Sequence, residues 1–262
     1  MQKSHPVLCF QMNMLVNDLK NESIVPIPYM RKVLQEDCVA VMVSTKPDFN
    51  YIKSNLAGHK ALDFFLSSLL ISSQKIKTIC VAGPFIGAAY STMILESLIA
   101  SKIKKIILLG WCGTISNKLK IGDIVLVKKA FIDEGTSSNY KKIDQDFPFS
   151  KPSLNLSFKL SEYLNSCETK FKKSLIWTTD AIYRETENKK KFYEKLGADA
   201  VDMECSALFS VAEYRKVEIS ALLIVSDNLD SKEWKKGHKK QIFQEARKDA
   251  CKVVMSFANI IK

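Results

Sequence analysis

Val201-Asp202-Met203-Glu204-Cys205, followed one helix-length later by Val225-Ser226-Asp227, decides how this chain reads. Each segment ends a run of β-forming residues, Ala200 to Met203 and Ser220 to Val225. The stretch between them, Ser206 to Arg215, carries apolar residues at helical spacing. A strand, a helix and a second strand place Glu204 and Asp227 at the carboxyl ends of two strands. Open α/β sheets build their sites outside that edge. A carboxylate there accepts hydrogen bonds from two vicinal sugar hydroxyls, and a second supplies a proton to a leaving group. The pairing points to glycosyl chemistry on a hydroxylated substrate.

The same alternation extends outward. Candidate strands cover Val39 to Ser44, Thr78 to Ala82, Ile106 to Leu109, Ile124 to Val127 and Leu175 to Thr178. Helices are expected over Ala88 to Ser101, Leu154 to Asn165, Lys189 to Leu196 and Gln241 to Ile261; the last aligns Ala246, Ala250, Val253, Phe257 and Ile261 on one face. This is the pattern of an α/β sheet covered on both faces. A length of 262 residues with 47% hydrophobic content suits one domain over 1–262. Residues 1–35 read as a less regular N-terminal extension, with Pro26-Ile27-Pro28 favouring irregular backbone. The apolar run Phe64 to Ile71 is broken by Ser67 and Ser68, well short of a membrane span. The N-terminus makes a poor signal peptide, and the 7 cysteines are scattered and odd in number, which points to reduced thiols in a cytoplasmic protein.

A net charge of +11 raises nucleic-acid binding as a third class of function. Of the 39 basic residues, all but Arg31, Arg184, Arg215 and Arg247 are lysines, dispersed rather than interleaved with aromatics. That is the composition of a solvated surface, so no nucleic acid and no membrane are expected as partners. The densest basic stretch runs from Lys232 to Lys240. His5, His59 and His238 share no ligand spacing and the cysteines form no paired motif, so neither a metal nor another cofactor is expected.

Several motifs occur together: Gly83-Pro84-Phe85-Ile86-Gly87-Ala88, Leu109-Gly110-Trp111-Cys112-Gly113, Ile121-Gly122-Asp123-Ile124-Val125, Asp133-Glu134-Gly135-Thr136-Ser137 and Thr179-Asp180-Ala181, besides the two opening segments. In that order they resemble the nucleoside phosphorylase family of purine nucleoside phosphorylases, uridine phosphorylases and methylthioadenosine/adenosylhomocysteine nucleosidases. The resemblance runs from Val39 to the C-terminus. It implies a three-layer α/β/α sandwich with a mixed central sheet, a small nucleoside as substrate, and assembly as a homo-oligomer, dimer or hexamer.

Residue by residue, the resemblance makes Glu204 the carboxylate that grips the ribose 2′ and 3′ hydroxyls and Met203 the side chain packed on sugar or base. The plain alternatives are a helix N-terminal acid and a core methionine. Asp227 matches the acid of purine-specific members that sends a proton toward N7 of the departing base, with Ser226 orienting it. Trp177, Ile182 and Tyr183 are candidates for a flat base pocket, and Arg184 for a contact to base or anion. The stretch Tyr183 to Asn188 lacks the glutamine of uridine-specific members, which favours a purine. Gly83 and Gly87 are expected to let backbone amides approach the nucleophile.

The phosphate end departs from the family. Leu108 and Trp111 stand where the phosphorylases carry an arginine and a small hydroxyl residue, and Asp48, in Ser44-Thr45-Lys46-Pro47-Asp48, stands where a second arginine belongs. Nucleosidases place an acid near this loop to activate water, so Asp48 is a candidate general base. Lys46 is a candidate point-charge ligand for inorganic phosphate as co-substrate. Phosphorolysis, hydrolysis and a catalytically silent nucleoside-binding or storage relative therefore stay open.

Overall fold

The computed structural model describes residues 23–29, 34, 38–73, 78–143, 148–229 and 234–261. Most of the expected N-terminal extension lies outside them, as do His5, Cys9 and part of the Lys232 to Lys240 stretch. Along the chain the elements run β1 (Val39–Val43), α1 (Lys46–Asn55), β2 (His59–Phe64), β3 (Ser67–Ser73), β4 (Thr78–Gly83), α2 (Ala88–Ala100), β5 (Lys105–Thr114), β6 (Ile124–Asp133), β7 (Phe149–Ser150), α3 (Leu154–Ser166), β8 (Lys172–Thr179), α4 (Glu187–Lys195), β9 (Ala198–Asp202), α5 (Cys205–Arg215), β10 (Glu218–Asn228), β11 (Lys235–Lys236) and α6 (Gln241–Ile260).

β1 shows why the layers form. Ala40 and Met42 face one core, while Val39, Val41 and Val43 face another. A strand buried on both sides reads as a continuous apolar run and requires helices on each face. The first core is completed by α2 and α5 through Ile94, Leu95, Leu98, Leu208 and Phe209. The second is completed by α1, α3 and α6 through Phe49, Ile52, Leu156, Leu160, Phe243 and Val254. The expected α/β/α layering with a mixed sheet is therefore present. Among the described residues, no helix is long and apolar enough to cross a membrane.

The strand order is β11-β10-β6-β8-β9-β5-β1-β4-β3-β2, with β7 on β6. β10 pairs with β5 as well, so β5, β10, β6, β8 and β9 close into a ring. The length of β5 makes this possible. Its first half lies beside β1, whereas Gly113 and Thr114 have crossed to pair with Val201 and Ala200 of β9. Gly113 also stands opposite Asp227 of β10, just past a register shift at Ser226. One residue thus brings both motif segments to the same edge. An added Cβ at Gly113 would lie 2.5 Å from Leu229 Cδ1 and 3.1 Å from Asp227 Oδ2, so the Leu229 side chain would have to shift to admit one.

Candidate active site

A hollow of about 330 Å³ opens at this edge, and Glu204, Met203, Asp227, Ser226, Trp111 and Ile182 all line it. A larger hollow, about 620 Å³, lies among Pro26, Phe65, Thr92, Tyr140 and Arg215 and contains neither acid. Chemistry rather than size selects the smaller one.

Glu204 is placed by the start of α5. Asp202, at the end of β9, accepts the Thr178 hydroxyl on Oδ1 at 2.6 Å and the backbone N–H groups of Glu204 and Cys205 on Oδ2 at 3.2 and 2.8 Å. Those bonds satisfy amides that the first helical turn leaves without partners. Glu204 Oε1 then accepts the N–H of Gly87 at 2.7 Å. Gly87 has φ +81°, a backbone conformation that favours glycine. Burial, followed by the nearby Asp202 charge, pushes the Glu204 carboxyl up to about 8. Burial also raises the Asp202 carboxyl, against its hydrogen bonds.

In the same lining, Asp227 Oδ1 accepts the Ser226 hydroxyl at 2.6 Å and Oδ2 accepts the Trp234 indole N–H at 2.7 Å. Glu185, on the turn after β8, lines the hollow beside these groups. Burial and the Asp227 charge push its carboxyl up to about 7. Sequence reading passed over Glu185, Trp234, Phe85 and Ile86. An acid in a polar loop such as Tyr183 to Asn188 carries no signal that separates Glu185 from Glu187, which merely begins α4.

Several expected site residues belong elsewhere. Trp177 is fully buried in a third apolar cluster, stacked on Tyr193 at 4.7 Å between centroids, with its indole N–H donated to Asp133. It is core, not base pocket. Tyr183 is 97% exposed, Arg184 is also exposed, and neither lines the hollow. Asp48 is not a loop residue. Lys46-Pro47-Asp48 begins α1, with proline and an acid in the first turn. Its carboxylate is fully buried, with Oδ1 taken by Arg247 at 2.9 Å and Oδ2 by Thr45 at 2.9 Å and Trp111 Nε1 at 2.6 Å. A general base needs a lone pair facing water, and the pairing with Arg247 removes that role. Lys46 is exposed and off the hollow.

The glycines are corrected too. The Gly87 amide is engaged by Glu204 rather than left for a nucleophile. Gly83 permits close strand approach: a Cβ there would lie 2.3 Å from the Val43 carbonyl oxygen and 3.2 Å from the Phe49 ring. Because the obstacle is backbone, Gly83→Ala is expected to cost about 2 kcal/mol or more, read from the midpoint of urea unfolding. Trp111 does line the hollow, its ring edge-on to Phe243 and its N–H anchored on Asp48.

Comparison with known proteins adds four findings. The model of the phosphorylase superfamily matches residues 39–259. The chain is 30% identical over 144 residues to an uncharacterised protein of Acanthamoeba polyphaga mimivirus (55% of this chain, 54% of that protein). It is 28% identical over 160 residues to a DeoD-type purine nucleoside phosphorylase of Buchnera aphidicola (61% and 67%). The matched stretch thus spans roughly half to two thirds of these relatives' length. The fold is also that of the Campylobacter jejuni 5′-methylthioadenosine/S-adenosyl homocysteine nucleosidase, with TM-score 0.73, 18% identity, and coverage of 85% of this chain and 99% of that one.

Proposed function

The chain belongs to the phosphorylase superfamily, and from that membership we propose that it cleaves the N-glycosidic bond of a purine nucleoside with water as the acceptor. The family comprises nucleoside phosphorylases and nucleosidases, which share this bond cleavage. The observation that carries the reading is one hollow lined both by Glu204 and by Asp227 with Ser226. Glu204 suits a sugar diol, and an acid beside Asp227 suits a departing heterocycle, which leaves more readily once protonated. The Ser226-Asp227 pair and the lack of glutamine in the base loop support a purine.

Electrostatics supports water. Glu185, Asp202, Glu204 and Asp227 line the hollow, and among the described residues no Arg, Lys or His does. Arg247, the cation near Trp111, is committed to Asp48 and almost fully buried. A phosphate dianion entering this cavity finds no guanidinium fork among the described residues to hold it, whereas water needs none. One observation favours a second reading, a nucleoside binder without turnover: with Asp48 sequestered, the water has lost its expected base.

Incubating the protein with inosine or adenosine in phosphate-free buffer tests the proposal. Ribose is the expected sugar product, at a rate unchanged by added phosphate. Ribose 1-phosphate as the sole sugar product eliminates water as the acceptor. Saturable binding without product favours the silent binder.

A further inference from the structure

Glu185 and Asp227 line the hollow with different surroundings. Both oxygens of Asp227 accept hydrogen bonds, one from Ser226 and one from the donor-only indole of Trp234. The Glu185 carboxyl makes no hydrogen bond or ion pair among the described residues, and it lies half-buried against Ile182 and the cavity. The other titratable groups lining the hollow are Asp227 on β10, Asp202 at the end of β9, Glu204 at the start of α5 and Cys112 on β5, and none is cationic. The neighbouring Arg184 is exposed and does not line it.

We propose that Glu185 is the general acid that delivers the proton to the departing purine, with Asp227 as the fixed acceptor beside it. This rests on the nucleoside-cleaving reading and assigns one of its steps to a residue outside the matched motifs. As the bond between C1′ and N9 breaks, its electron pair stays with the base, and the Glu185 proton passes to N7, so a neutral purine leaves. Water adds to C1′ and releases a proton to solvent, and Glu185 takes one back to restore the acid. Mass and charge then balance as nucleoside plus water giving purine plus ribose. Burial and the Asp227 charge hold the Glu185 carboxyl protonated up to about pH 7, which matches a proton donor working near neutrality.

The test compares inosine with 7-methylinosine, whose base already carries a positive charge and departs without a proton. Glu185→Gln keeps the side chain's shape on the turn after β8, and its melting temperature is expected not to fall below that of the wild type. It is expected to lower kcat about 100-fold on inosine and to leave 7-methylinosine cleavage within about threefold. The alkaline fall of kcat/KM that a protonated acid imposes should disappear in the variant, leaving only a rise with pH. Equal losses on both substrates, or a surviving falling limb, overturn the proposal alone. If the wild-type chain cleaves neither substrate, the nucleoside reading itself fails and the acid role goes with it.

Discussion

Glu204→Gln is expected to lower kcat/KM for a purine nucleoside by about 100- to 1,000-fold and, in the same protein, to raise the melting temperature above pH 8. The activity loss follows from replacing a carboxyl, which accepts from two sugar hydroxyls and gains charge once ionised, by an amide with one acceptor oxygen at a site where charge develops on the ribose. The stability gain follows from burial. An ordinary glutamate ionises near 4.5, whereas this one is held protonated up to about 8 by desolvation first and the Asp202 charge second. Between those values the folded chain retains a proton that the unfolded chain has released. Stability therefore falls as pH rises from about 4.5 to about 8 and levels off above that. Glutamine does not titrate, and its side-chain oxygen still accepts the Gly87 N–H that Glu204 accepts at 2.7 Å. The gain at pH 9 should be on the order of 2 kcal/mol and absent at pH 4. Thermal melts at the two pH values, run beside the rate assay, measure both effects. A variant less stable than wild type at pH 9 means that Glu204 is not held at a cost, and full activity means that it does not touch the sugar.

Such a trade would mark a residue kept for chemistry rather than for folding, and the place of Glu204 at the hollow was legible because its motif and its strand-end position agreed. Most of the fold was legible for the same reason. The core strands are apolar runs bounded by polar or glycine residues, and α6 carries one apolar face, so periodicity alone located them. Other parts lacked that signal. β2 and β3 form a hairpin whose turn includes Phe65 at φ +55°, without the Asn-Gly or Asp-Gly pair that announces such a turn. β5 and β10 run to Thr114 and Asn228, well beyond the apolar stretches expected from sequence, because closing the ring requires their ends to pair again. That closure depends on pairing across distant segments, which no local window contains. Trp177 misled for a related reason. An aromatic at a strand end faces either the cavity or the core, and Tyr193, stacked on it from α4, settles the matter only in three dimensions. Glu185 is the converse case: an unremarkable acid whose meaning comes from the cavity it borders.

Asp48 carries the other large expectation, and it concerns stability. Removing one member of a buried ion pair leaves the other charge uncompensated, at a typical cost of about 3–5 kcal/mol. Asp48 is fully buried and Arg247 nearly so, with 2.9 Å between Oδ1 and Nη1. Asp48→Ala would also strip the acceptor from the Thr45 hydroxyl and the Trp111 indole. The loss should lower the melting temperature by about 10 °C in a chain of this size. Arg247→Met alone should be similarly costly, because it strands the carboxylate. The double variant Asp48→Leu with Arg247→Met removes both charges and fills the space with apolar atoms, so it should recover much of the stability lost by either single change. Thermal melts of the four proteins form a cycle in which the pair, not either residue, explains the loss. Kinetics separates this from the role expected of a base near the nucleophile. Measured well below its melting temperature, Asp48→Asn should keep the wild-type pH–rate profile, since the group it alters lies behind Trp111 and not in the hollow. An Asp48→Asn protein with unchanged melting temperature and abolished turnover would return Asp48 to the chemistry and undo its assignment as the anchor of Trp111.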